Sequence, residues 1–295
     1  MKKFFIVISI IVFIIFLLAF VGRHFYENNI KENYEEQTNN DKNTIIENNE
    51  SNNVDKPNEE DIEEKNNDYI ILDVNEVRIP ILMYHSISDS DLNNNLLVPI
   101  KEFEAEVKWL KENRFTPMLL DDVLEAYNTG YVPKRPVAIT FDDGYADNYT
   151  DAYRILNENK MKATFFIITN NTDTDSFYMN SNILKEMKDN GMGIENHTSR
   201  HMEFTNISRD EKAMIIQEGI DILKEKLGVD SKFVCYPVGR YDEETIEVEK
   251  ELGIKAAVTT EPGISSLNDG IYSLKRVRMT PMEIDSFKEI FQEFL

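Results

Sequence analysis

Two of the four histidines in this chain stand four residues apart, in His197-Thr198-Ser199-Arg200-His201, and an acidic pair closes the run Thr140-Phe141-Asp142-Asp143-Gly144. One carboxylate with two imidazoles is a ligand set for a single divalent first-row metal. Zinc suits it best, with cobalt, nickel or manganese compatible, and coordination positions are left for water. Asp143, His197 and His201 are the candidate ligands. Asp142, the second carboxylate, is then placed to accept a proton from a water whose pKa such an ion lowers. The chemistry these types predict is metal-assisted hydrolysis. Taken singly each motif is weak, because an Asp-Asp-Gly is often just a turn; the two together carry the signal.

Hydrolysis of an amide or ester also needs a proton for the leaving group. His85, in Met83-Tyr84-His85-Ser86, is the candidate general acid, since an imidazole titrates in the working range; a hydrogen-bonded loop histidine is the competing role. Pro237-Val238-Gly239 offers backbone N–H groups, and that of Val238 is a candidate for stabilising an oxyanion. Arg240 and Arg276 are the nearest cations that could support the acidic pair, and each is equally suited to a surface ion pair.

These residues need strand ends to hold them. Apolar runs at Ile79 to Tyr84, Val137 to Phe141, Ala163 to Thr169, Met192 to Glu195, Phe233 to Tyr236 and Lys255 to Thr259 read as buried strands. Helical patterns fall between and after them, at Ile100 to Lys111, Leu120 to Tyr127, Tyr145 to Asn157, Ile183 to Lys188, Ser208 to Leu227, Asp242 to Leu252 and Ile284 to Phe294. Ser208 with Glu211 is a capping-box signal, and Gly228 is a terminator. A β-α alternation of this kind predicts an α/β fold with a largely parallel sheet, closed or nearly closed into a barrel. In such folds the chemistry lies past the C-terminal ends of the strands. Asp142, Asp143, His197, His201 and Pro237 all fall there.

Composition bounds the rest. The 295 residues carry a formal net charge of -22, and from residue 78 onward 25 basic residues face 38 acidic ones, which argues against nucleic acid as a partner. Cys235 is the sole cysteine, so no intrachain disulfide can form. Phe4 to Gly22 is a 19-residue apolar run preceded by Lys2 and Lys3, long enough for one membrane helix with the basic end inside. The expectation is a single-pass anchor over 1–23, with a cleaved signal peptide as the rival. Residues 24–77 hold 16 acidic, 4 basic and 14 Asn residues and read as an extended, disordered tether, with a short strand beginning near Tyr69. The catalytic domain is expected over 78–295, outside the cell.

The two motifs, in this order and spacing, resemble those of the polysaccharide deacetylases of carbohydrate esterase family 4, the NodB-homology domain, over roughly residues 78 to 280. The resemblance implies a distorted (β/α) barrel and removal of N-acetyl groups from amino sugars. It places Asp142 on the catalytic base and Asp143, His197 and His201 on the metal triad. The family's third motif normally supplies an Arg that tethers the base, and an aromatic residue. Here Cys235-Tyr236-Pro237-Val238-Gly239 has Cys235 at the Arg position and Val238 at the aromatic one. The late Leu-x-x-His motif is also altered, to Leu274-Lys275-Arg276-Val277. These departures resemble the branch acting on poly-β-1,6-N-acetylglucosamine of biofilm matrices, in which an early histidine like His85 is the acid; Arg276 could then replace the missing tether. The implied partner is an extracellular N-acetylglucosamine polymer. Peptidoglycan deacetylation, esterase action on acetylated xylan and a non-catalytic saccharide-binding module are the alternatives.

Overall fold

A computed structural model describes residues 68–91 and 93–295. Eight parallel strands dominate it: β1 (Ile81–Tyr84), β2 (Thr116–Met118), β3 (Pro136–Phe141), β4 (Thr164–Ile167), β5 (Gly193–Asn196), β6 (Phe233–Cys235), β7 (Ala256–Pro262) and β8 (Leu274–Arg278). Neighbours pair in the order β1-β8-β7-β6-β5-β4-β3, and β1 pairs back to β3, from Ile81 against Ala138 to Tyr84 against Phe141. The ring is therefore a closed barrel of seven strands, with β2 set beside the first half of β3. Most ring strands are buried on both faces, which is why they read as unbroken apolar runs rather than alternating ones.

Among the described residues seven α-helices accompany the strands: α1 (Ile100–Glu112), α2 (Leu120–Thr129), α3 (Arg154–Glu158), α4 (Ser181–Asp189), α5 (Arg209–Leu227), α6 (Glu243–Glu251) and α7 (Ile284–Glu289). Leu82, Ile139, Phe141, Phe165 and Ile194 point outward and pack on α1, α3 and α4. Val234 and Ala257 pack on α5 and α6. Inside the ring, Ile81, Ala138, Phe166, Phe233, Val258 and Leu274 form a separate cluster with Leu120, Val123, Ala126 and Tyr127 of α2. Helix α2 thus lies across the end of the barrel at which the strands begin, and the interior below the site is solid.

The start of α5 carries the capping box: the Glu211 carboxylate accepts from the Ser208 N–H at 2.9 Å, and Gly228 closes the helix at φ 66°. Elsewhere the elements differ from expectation. Strands β2 and β8 were not anticipated; β2 contains Pro117, and three of the five residues of β8 are charged. The helix expected from Tyr145 opens instead as a π-helix, Asn148–Tyr153, before α3. The last helix breaks after Glu289 and ends in a 3-10 turn, Gln292–Phe294.

The expected tether reached residue 77, but Tyr69–Ile71 pairs antiparallel with Tyr131–Pro133 and Val77 is fully buried, so residues 68–77 belong to the folded body. Residues 24–67 of that tether and the apolar run Phe4 to Gly22 lie outside the described residues. Among the described residues no helix is long and apolar enough to cross a membrane.

Candidate active site

The barrel's C-terminal rim gathers the acidic pair, both motif histidines and His85. Asp142 follows β3 directly and is buried. Arg276, in the middle of β8 and fully buried, grips it with two parallel bonds, Nη1 to Oδ1 and Nη2 to Oδ2, each 2.8 Å. The other three guanidinium hydrogens go to the Thr259 carbonyl at 2.8 Å, the Thr140 hydroxyl at 3.0 Å and the Cys235 sulfur at 3.2 Å. All five N–H donors of the side chain are thereby used. Burial alone would raise the Asp142 carboxyl, but the charge and hydrogen bonds of Arg276 outweigh it and hold the group well below the usual carboxylate range.

Asp143 turns the other way, at φ 72°. Its Oδ1 lies 3.3 Å from His197 Nε2 and 3.5 Å from His201 Nε2. The ligand atoms of the three residues all lie within 4.8 Å of one another. Two ligands at about 2.1 Å from an ion, tetrahedrally arranged, are roughly 3.4 Å apart, so these spacings fit one small divalent ion. His197 Nδ1 donates to the Cys235 carbonyl at 2.8 Å, which fixes the tautomer and leaves Nε2 free toward Asp143. His201 is turned by a tight loop in which its N–H bonds the Thr198 hydroxyl at 2.9 Å. A second group, Asp142, His197 and Cys235, also has its candidate ligand atoms close together, but Arg276 already occupies that carboxylate.

Seven residues other than glycine have positive φ among the described residues, and Asp143, Thr198, His201 and Val238 are four of them. Each such conformation costs about 1–3 kcal/mol, so the strain is concentrated in the segments that shape the site.

His85 follows β1 and brings Nε2 to 3.9 Å from Asp142 Oδ2. Burial lowers its pKa below the ordinary imidazole value, against the raising influence of Asp142 and Asp143. The segment is held from the π-helix: the fully buried Asn148 donates its amide to the His85 carbonyl at 2.7 Å, and Ser86 bonds Asp147 at 2.5 Å. Asn148 went unnoticed in the sequence, where it is one polar residue in a helical stretch; its only signal was a polar type on an inward-facing position.

Val238 heads an exposed turn with φ 50°, three residues beyond Cys235. The Gly239 that follows it has φ 72°, and a Cβ there would stand 2.0 Å from the Thr260 hydroxyl. Arg240 is exposed and lines an open acidic groove with Glu203, Asp242 and Glu261. Of the two arginines considered, only Arg276 reaches Asp142. Cys235, at the place where the resemblance puts a tethering Arg, instead touches the guanidinium that comes from β8.

The family model for polysaccharide deacetylase matches residues 129–257, the segment holding both motifs. YxkH of Bacillus subtilis, a protein named for the same family, is 38% identical over 205 residues, which are 69% of this chain and 72% of that one. The poly-beta-1,6-N-acetyl-D-glucosamine N-deacetylase of Staphylococcus aureus is 26% identical over 242 residues, 72% of this chain and 81% of that enzyme. Among solved structures, the Streptococcus pyogenes deacetylase PplD in complex with acetate superposes with a TM-score of 0.71 at 31% identity, covering 73% of this chain and 99% of the other. A closed parallel barrel, a possible Asp-His-His metal group on its rim and these relatives agree: the chain belongs to the polysaccharide deacetylase family and is a hydrolase.

Proposed function

We propose that this protein removes acetyl groups from N-acetylglucosamine units of an extracellular polysaccharide, poly-β-1,6-N-acetylglucosamine being the preferred substrate. One arrangement carries the reading: Asp142, locked in its ionised form by Arg276, has His85 Nε2 at 3.9 Å and a ring nitrogen of His197, from the candidate metal group, within 4.8 Å. Asp143, His197 and His201 would hold a divalent ion, zinc being the best match to two imidazoles and a carboxylate, and that ion would supply Lewis-acid polarisation and a more acidic water.

The chain's own residues do the rest. Asp142 accepts the proton of the attacking water, and Arg276 keeps the carboxylate fixed and unprotonated while it waits. The Val238 N–H meets the charge that develops on the acyl oxygen. His85, just past the end of β1 with its Nε2 3.9 Å from Asp142 Oδ2, gives its proton to the departing amine; acetate and a free amino sugar remain. The preference for the β-1,6 polymer draws support from the similarity to the Staphylococcus aureus enzyme and from the altered late motif, which has no histidine. The apolar run Phe4 to Gly22 and the acidic segment after it suit a membrane-anchored catalytic domain working at the cell surface.

Acetate release from acetylated β-1,6-glucosamine oligomers, peptidoglycan fragments and acetylated xylan, compared at equal acetyl content, tests the reading. The first should be favoured, and selectivity for either of the others would overturn the substrate choice. Asp142→Asn should abolish release while bound metal, measured by elemental analysis, stays near one equivalent; unchanged turnover would reject the role given to Asp142.

A further inference from the structure

Beside the candidate metal group stands a cluster of aromatic rings whose outermost member, Phe177, is exposed among the described residues. Tyr145 lies two residues beyond Asp143, and its hydroxyl faces that carboxylate. Phe177 packs edge-on against Tyr145 at 5.2 Å between ring centres, and Tyr178 stacks on Tyr145 at 5.6 Å. Phe177 and Tyr178 themselves meet edge-on at 5.4 Å. The backbone holds the three together: Tyr145 and Tyr178 form an antiparallel bridge, with Ala146 N–H to the Phe177 carbonyl at 2.9 Å and Met179 N–H to the Gly144 carbonyl at 3.0 Å. The shelf is therefore built onto the same segment that supplies Asp142 and Asp143.

The ring of Phe177 is 63% exposed, against near-complete burial for most phenylalanines of the barrel. Apolar surface left in water is unfavourable, and here it borders a site that handles a polar polymer. A pyranose ring has one face lined by C–H groups, and such a face packs on the electron-rich face of an aromatic ring. Its hydroxyls stay outward in water or reach polar neighbours such as the tyrosine hydroxyls.

We infer that Tyr145, Phe177 and Tyr178 form a saccharide-stacking subsite that takes the pyranose ring next to the one being deacetylated, an assignment that rests on the deacetylase reading. Phe177 supplies the exposed face, and Tyr145 fixes the distance between that face and the metal group. The enzyme should then bind an oligomer better than a single sugar, with the gain residing in this cluster.

The test uses the full chain carrying Asp142→Asn, so that the ligand persists, titrated calorimetrically with an acetylated β-1,6-linked glucosamine pentamer. Adding Phe177→Ala should weaken binding about threefold to tenfold, and Phe177→Trp should restore it. In the otherwise wild-type chain, Phe177→Ala should leave hydrolysis of a small ester, 4-nitrophenyl acetate, unchanged. Undiminished pentamer affinity in Phe177→Ala overturns the subsite, as does an equal loss of ester hydrolysis, which would mark a structural role. Loss of binding to anionic phospholipid vesicles with saccharide affinity intact would assign the ring to a lipid surface instead. If the Asp142→Asn parent binds no pentamer, the subsite falls. If it binds but the wild type releases no acetate from any saccharide, the reaction is wrong and the subsite stands.

Discussion

Arg276 is the residue on which the role proposed for Asp142 depends, because its two bonds hold the carboxylate both in place and ionised. Arg276→Lys keeps the charge but not the fork, and should lower kcat by about tenfold or more with KM little changed. Arg276→Leu leaves a buried carboxylate without its partner, a loss of about 3–5 kcal/mol of stability by denaturant titration. The sign for pH follows. A depressed carboxyl contributes stability that is present above its unfolded value and lost as pH falls through the folded one; without the arginine that loss, and the acid limb of kcat/KM, should move to higher pH. As the proposed general acid, His85 acts in the opposite direction: it would donate only while protonated, so the alkaline limb should fall early, below the ordinary histidine range, and vanish in His85→Ala. The residue types of this site were legible in the sequence, since few side chains can ligate a metal or carry a proton. The partner of Asp142 was only one of two open candidates, because a contact across 134 positions leaves no local pattern.

At the level of elements, the strands buried on both sides were readable and those that break the rule were not. In β8 the inward positions are Leu274 and Arg276, so the alternation is between a leucine and a cation whose charge is balanced elsewhere in the fold. No apolar count finds such a strand. The π-helix was equally hidden: its register turns Asn148 onto the His85 carbonyl, and π-bulges of this sort often mark functional segments. The turn Pro237–Gly239 shows how closely elements fit at the rim. Gly239→Ala would meet both the left-handed backbone and the Thr260 hydroxyl, so it should cost more than about 1 kcal/mol. A lower Tm with metal content unchanged would bear this out; an unaltered Tm would show that the turn can move aside.

For the molecule as a whole, β-α alternation was enough to foresee a barrel, while the seal formed by α2 depends on packing that no window of sequence displays. Three carboxyls set the pH response of the fold, those of the buried Glu106 and Glu249 and of the half-buried Glu195. Burial pushes Glu106 and Glu195 up to about 7 and Glu249 to about 8, from an ordinary value near 4.5. Tyr236 has one hydroxyl hydrogen but lies 2.8 Å from Glu249 and 2.9 Å from the Tyr272 carbonyl. A protonated Glu249 resolves this by donating to Tyr236, which donates onward. Groups raised in the folded state contribute fully below their unfolded values, and that contribution is lost as pH rises through 7 to 8. Stability should therefore decline from pH 5 to pH 9, and Glu249→Gln should flatten the decline by roughly 1–3 kcal/mol in urea titrations. Chelation should lower Tm as well, since an ion held by Asp143, His197 and His201 binds only the folded chain. The seal also dictates traffic. With α2 seated under the barrel the described residues leave no tunnel to thread, so on the proposed reading a long strand would be serviced at internal units without offering an end, and end-blocked chains should be processed as fast as open ones.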